Sequence, residues 1–206
     1  MAHICYIIGA GDVFTADLKA DETDYIICAD GGYRYSSLLG RECDLVVGDF
    51  DSFGKIPEKE NKVVAPCEKD DTDMTLAVKE GFKRGYSEFV IYGALGGERF
   101  DHTVSNIQLL SLICSEGGRG TIIHKNTVLT AFSNSGMTFS EECSGYASVF
   151  SLCDESRGVT IRNMKYNVED FTLRSNNPVG VSNEFIGKEG SISVKDGTLL
   201  VIYNKK

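Results

Sequence analysis

Polar and apolar positions fall into two regimes along the chain. Up to about residue 130, short apolar runs alternate with segments of helical period. Ile4–Ile8, Tyr25–Ala29, Leu45–Val47, Val63–Ala65, Phe89–Tyr92 and Thr121–His124 are short and mostly β-branched. That is the pattern of parallel strands covered on both faces. In Asp71–Arg84, the residues Met74, Ala77, Val78, Gly81 and Phe82 recur at helical spacing. Lys83 and Arg84 suit the carbonyl end of that helix, and Gly85 is a stop signal. Asp101–Ser115 repeats the pattern with Val104, Ile107, Leu110 and Ile113, ahead of Gly117-Gly118. Strand and helix in alternation predict an α/β layer with right-handed crossovers.

Beyond residue 130 no long amphipathic helix is visible. Ala147–Leu152, Val159–Arg162, Phe171–Leu173, Ser191–Lys195 and Thr198–Tyr203 are short apolar runs parted by polar turns. Asp196-Gly197 predicts a hairpin joining the last two. The fold class expected is therefore α/β. A Rossmann-like parallel-sheet domain over residues 1–133 is followed by a small all-β sandwich or barrel over 134–206. The boundary is placed near Asn134-Ser135-Gly136.

Composition narrows the function. The 206 residues suffice for a sizeable core without covalent staples, and three prolines exclude Pro-rich disorder. No apolar run approaches the roughly 18 residues of a membrane span. Met1–Gly9 lacks a basic n-region and a long apolar stretch, so it reads as a first strand of a cytoplasmic protein. Seven cysteines, an odd number without Cys-x-x-Cys spacing, argue for buried reduced thiols over a disulfide framework or zinc ribbon. The formal charge of −9 disfavours a generic nucleic-acid binder. It suits a metal or a cationic organic substrate.

Ligands of an open α/β sheet bind outside the carboxyl ends of its strands. Those ends carry Asp30-Gly31-Gly32, Gly48-Asp49-Phe50-Asp51-Ser52, Glu68-Lys69-Asp70-Asp71-Thr72-Asp73, and Gly93 through His102. Asp49 and Asp51 share a face if the backbone is extended, and two such carboxylates repel unless a cation lies between them. Mg2+ resolves that conflict and also favours phosphate oxygen; a solvated Asp turn is the plainer alternative. Asp70 and Asp73 open a helix, where capping alone would explain them. Gly93–His102 is glycine-rich, precedes a helix and contains Arg99, which suits phosphate. It is neither a Walker loop nor a dinucleotide fingerprint, and Gly9-Ala10-Gly11 is followed by Phe14 where a third glycine would stand. The residues point to phosphoryl or pyrophosphoryl transfer from a metal-bound nucleotide.

These motifs, in this order, resemble the thiamine pyrophosphokinase family: Asp30-Gly31-Gly32, Gly48–Ser52, Lys69-Asp70-x-Thr72-Asp73, and Gly96-Gly97 through Arg99-x-Asp101-His102. Lys165-Tyr166 and Gly180-Val181-Ser182-Asn183-Glu184 add the C-terminal signatures. The resemblance spans about residues 5 to 203. It implies pyrophosphoryl transfer from ATP to the hydroxyl of thiamine, leaving AMP, with Mg2+ as cofactor. It also implies a homodimer with sites between subunits. By position, Asp49, Asp51, Asp70 and Asp73 would form the catalytic cluster, with Asp49, Asp51 and Asp73 on the metal. Asp30, Gly31, Gly32, Ser52, Thr72, Gly97, Arg99, Asp101 and His102 would line the nucleotide. Tyr166, Ser182 and Asn183 would serve thiamine, whose fixed positive charge suits an acidic chain with aromatic faces. Asp70 or Asp73 would take the hydroxyl proton. Relative to the family pattern, Glu98 is inserted between Gly97 and Arg99. Three other readings compete: a transferase acting on another alcohol, which need not keep Ser182-Asn183; a non-catalytic thiamine or nucleotide module, which should have lost some of the metal acids; and a structural or interaction protein whose Asp loops are solvated turns.

Overall fold

The computed structural model describes residues 3–14, 20–38, 42–49, 61–64 and 70–204. The expectations for Asp51, Ser52 and Lys69 lie outside them. The chain is a mixed α/β protein, mostly sheet with few helices. It divides into two compact units, Met1–Leu109 with Ile122–Lys125, and Leu110–Thr121 with Asn126–Lys206.

In the first unit, β1 (Ile4–Ile8), β2 (Tyr25–Ala29), β3 (Leu45–Gly48), β4 (Lys62–Val64) and β5 (Glu88–Tyr92) are all parallel. Their order is β4-β3-β2-β1-β5. Ile7, Ile8, Ile26, Ile27, Val46, Val47 and Ile91 are fully buried. Each such aliphatic side chain contributes about 1.5–3 kcal/mol, so the continuous apolar runs are what hold these strands inside. The amino ends of the strands are tied by acids. Asp24 Oδ1 accepts from Ile4 N at 3.0 Å, and Asp44 Oδ2 from Ile26 N at 2.7 Å. Helix α1 (Asp73–Lys83) buries Met74, Ala77, Val78 and Gly81, the face its spacing predicted. Helix α2 (Phe100–Ser115) follows β5. A 3-10 helix, Asp30–Leu38, follows β2 directly and was not expected.

Strand β6 (Arg119–His124) follows α2, and the strands after it run antiparallel. In the second unit, β7 (Thr127–Ser133), β14 (Thr198–Asn204), β9 (Tyr146–Ser151) and β12 (Asn183–Glu184) pair in that order. A second set runs β11 (Val168–Arg174), β10 (Glu155–Arg162), β13 (Gly190–Ser193), β8 (Gly136–Phe139). Phe132, Val149, Leu199 and Val201 from the first set share one buried cluster with Phe139, Val159, Leu173 and Ile192 from the second.

The hairpin expected at Asp196-Gly197 is not formed. β13 pairs with β10 and β8, whereas β14 pairs with β7 and β9. The turn is instead a corner between the two sheets. Arg157 N donates to Asp196 O at 2.7 Å, and Gly197 N to Asn134 Oδ1 at 2.9 Å. Those contacts draw the turn away from the pairing its dipeptide favours. No helix among the described residues is long and apolar enough to cross a membrane.

Candidate active site

The strand order reverses between β1 and β5, because β1 to β4 step outward on one side and β5 returns on the other. Such a switch point leaves a crevice at the carboxyl ends. Two loops meet there. Gly9 N donates to Tyr92 O at 2.8 Å, Gly11 N to Gly93 O at 2.9 Å, and Asp12 N to Leu95 O at 3.0 Å. Gly93 sits at φ 63, and a Cβ there would overlap the Gly9 carbonyl. Only glycine permits both the left-handed backbone and that approach. The loops after β1, β2 and β5, with the starts of α1 and α2, enclose a cavity of about 260 Å³.

Asp30, Asp49 and Asp73 bring carboxylate oxygens within 4.8 Å of one another, each residue half-buried. Asp30 holds φ 42, an unusual conformation for a side-chain-bearing residue and one that clusters at functional sites. Three carboxylates this close repel, and oxygen-only donors of this kind suit a hard divalent cation. The sequence placed Asp49 and Asp73 on a metal but assigned Asp30 to the nucleotide. Here Asp30 completes the trio, because β2 ends one strand from β3. Asp70 is exposed and outside the trio, and Asp51 lies outside the described residues.

Thr72 caps α1: its Oγ1 accepts from Thr75 N at 3.2 Å. Asp73 is thereby fixed in the first helical turn, where its charge is also favoured. Thr72→Ala is expected to cost about 1 kcal/mol in a denaturant titration, with Thr72→Ser close to wild type. Asp71 is occupied by Lys79, Nζ to Oδ2 at 2.7 Å.

Gly97, Glu98, Arg99 and His102 line the cavity alongside Asp30, Thr72 and Asp73. Arg99 Nη2 donates to Asp101 Oδ2 at 2.7 Å, and that bond holds the exposed Asp101 carboxyl below its usual range. Gly31 and Gly32 are buried in the first turn of the 3-10 helix. Arg34 braces that turn, donating from Nε to Gly31 O at 2.8 Å. Sequence reasoning missed Ser105 and Asn106, which also line the cavity; their signal is an i, i+3, i+4 polar strip running from His102. Among the described residues no cysteine lines this cavity. Burial pushes the Cys5 thiol up to about 12 and raises that of Cys114.

The second unit carries its own cavity, about 150 Å³, lined by Val149, Ile161, Phe171, Val181, Tyr166 and Asn183 among others. Tyr166 is 60% exposed. The Asn183 carboxamide is occupied by backbone: Oδ1 accepts from Tyr166 N and Glu184 N at 2.9 Å, and Nδ2 donates to Tyr166 O at 2.7 Å. Ser182 holds φ 60, its N–H donating to Ser148 Oγ at 3.1 Å.

Residues 16–118 match the family model "Thiamin pyrophosphokinase, catalytic domain", and residues 137–199 match "Thiamin pyrophosphokinase, vitamin B1 binding domain". Thiamine pyrophosphokinase of Bacillus subtilis (strain 168) is 27% identical over 162 residues, spanning 75% of each chain. The crystal structure of thiamine pyrophosphokinase from Bacillus subtilis matches with a TM-score of 0.85 at 24% identity, over 98% of this chain and 99% of that one. Thiamin pyrophosphokinase from Candida albicans matches with a TM-score of 0.76 at 17% identity, over 99% and 90%. At those identities the two structures speak for the fold alone. With both halves of one family's architecture matched in order along it, the chain belongs to the thiamine pyrophosphokinase family.

Proposed function

We propose that this enzyme transfers the pyrophosphoryl group of ATP to the hydroxyl of thiamine, on a Rossmann-like first domain and a small β-sandwich second domain. The observation that carries the proposal is the Asp30–Asp49–Asp73 trio beside a glycine-lined cavity. Its donor set fits Mg2+, and Asp51, two residues after Asp49 in the sequence, would be a further ligand. Bound there, the cation would offset charge building on the phosphates. Backbone N–H groups of Gly96 and Gly97 and the guanidinium of Arg99 hold phosphate oxygens. Asp73 would hold the cation and so be a poor proton acceptor, and Asp70 would then take the hydroxyl proton. The thiamine oxygen bonds to the β-phosphorus, and the bond from that phosphorus to the bridging oxygen of the α-phosphate breaks. AMP leaves with that electron pair.

Tyr166 offers an aromatic face to the thiazolium cation. Asn183, spent on the backbone around Tyr166, positions that face rather than touching substrate. The working form is a cytoplasmic homodimer, as the family resemblance implies. The test is a product assay with thiamine, ATP and Mg2+. Equal amounts of AMP and thiamine pyrophosphate are expected. ADP in place of AMP would overturn pyrophosphoryl transfer, and no nucleotide consumption by folded protein would favour a binding module.

A further inference from the structure

Asn106 is 6% exposed, and it lines the cavity of the first unit. Its Nδ2 donates to Ala94 O at 2.7 Å. A carbonyl partner fixes which end of the carboxamide faces it, because only the nitrogen can donate. The other end, Oδ1, accepts no hydrogen bond from any described residue and is not among the sealed buried atoms, so it opens onto the cavity. That oxygen is therefore an acceptor held in fixed orientation at the cavity wall, where a bound ligand can replace its water. Ser105 and His102 stand beside it on α2, one turn or less away, and also line the cavity. The three make a hydrogen-bonding strip on a helix otherwise rich in Ile and Leu. It differs in character from the carboxylates of Asp30 and Asp73 and from the Gly96–Arg99 loop, which suit a cation and phosphate. Unprotonated phosphate oxygens cannot donate to this acceptor, whereas the ribose hydroxyls and the adenine amine of a nucleotide can.

We infer that Asn106 reads the nucleoside half of the nucleotide, its Oδ1 accepting from a ribose hydroxyl or from the adenine amine. The inference rests on the reading of this cavity as the ATP site. The contact is a binding contact, so it acts on KM for ATP and leaves kcat nearly unchanged. One neutral hydrogen bond in such a site is worth about tenfold in affinity.

The experiment compares ATP with 2′-deoxy-ATP, 3′-deoxy-ATP and inosine triphosphate on wild type and Asn106→Ala. The wild type is expected to disfavour one analogue by about tenfold, and the variant to lose that preference by binding ATP as weakly as the analogue. The analogue whose penalty disappears identifies the donor. Should Asn106→Ala fail to fold, Asn106→Ser keeps a polar group beside Ala94 and tests the same ratio. An equal loss for all four nucleotides would mean that Asn106 only braces the Ala94 loop, and would overturn the inference alone. No ATP binding by wild-type protein would overturn the site reading, and this inference with it.

Discussion

Asp49→Asn is expected to lower kcat about a thousandfold while leaving the cation-free protein at least as heat-stable as wild type. The two effects share one cause. Asp30, Asp49 and Asp73 crowd their carboxylates within 4.8 Å. At that spacing, in the partly screened edge of a protein, each like-charged pair costs about 3–4 kcal/mol before relaxation. Removing one charge relieves that repulsion when no cation is bound. With the cation present the same change deletes a ligand, and losing one preorganised electrostatic partner at a reacting phosphate costs about 10²–10³ in rate. Melting curves in chelator and in Mg2+ with ATP separate the terms. Wild type should gain heat stability on adding both, and Asp49→Asn should gain far less. Asp30→Asn should behave in the same way. A variant of Asp30 that loses ATP affinity yet keeps its Mg2+ response would return Asp30 to the nucleotide role read from sequence.

Much of this site is legible in the chain because its parts sit at strand ends. Continuous β-branched runs such as Ile4–Ile8 and Leu45–Val47 mark buried parallel strands, and whatever follows them faces the ligand edge. The trio itself is less legible. Asp49 and Asp73 stand in acidic motifs, but Asp30 stands alone before two glycines, and its membership depends on β2 pairing with β3. Asn106 gave no signal beyond helical spacing, since its partner, Ala94, is a backbone carbonyl. Strand β7 escaped notice for a related reason. Lys125 precedes it at φ 52, a left-handed turn without the glycine that would announce one. Asp196-Gly197 failed in the opposite direction. The dipeptide permits a hairpin, but contacts from Asn134 and Arg157 decide which strands its neighbours join.

Gly32→Ala is expected to be among the most damaging single methyls in the first unit. Gly32 lies in the 3-10 helix that begins at Asp30, and its Cα faces the end of β1. A Cβ there would overlap the Ile8 carbonyl oxygen, with the Ile8 carbonyl carbon at 2.7 Å and Gly9 C at 3.0 Å. All three are backbone atoms of a buried strand end, so no side chain can swing aside. The helix must move instead, at a cost of about 3 kcal/mol, the upper part of the range for overpacking. For a chain of this size that is a fall in melting temperature of about 6–12 °C. The same displacement carries Asp30 away from Asp49 and Asp73. Activity at a temperature where the variant is fully folded should therefore fall well beyond what the lost stability explains, and excess Mg2+ should restore part of it. Gly97→Ala supplies the contrast. It lies at φ 77 with open space around its Cβ position, so it meets backbone strain without a clash and should melt closer to wild type. If Gly32→Ala melted like wild type, the packing of the 3-10 helix on β1 would not be what holds Asp30 in the trio.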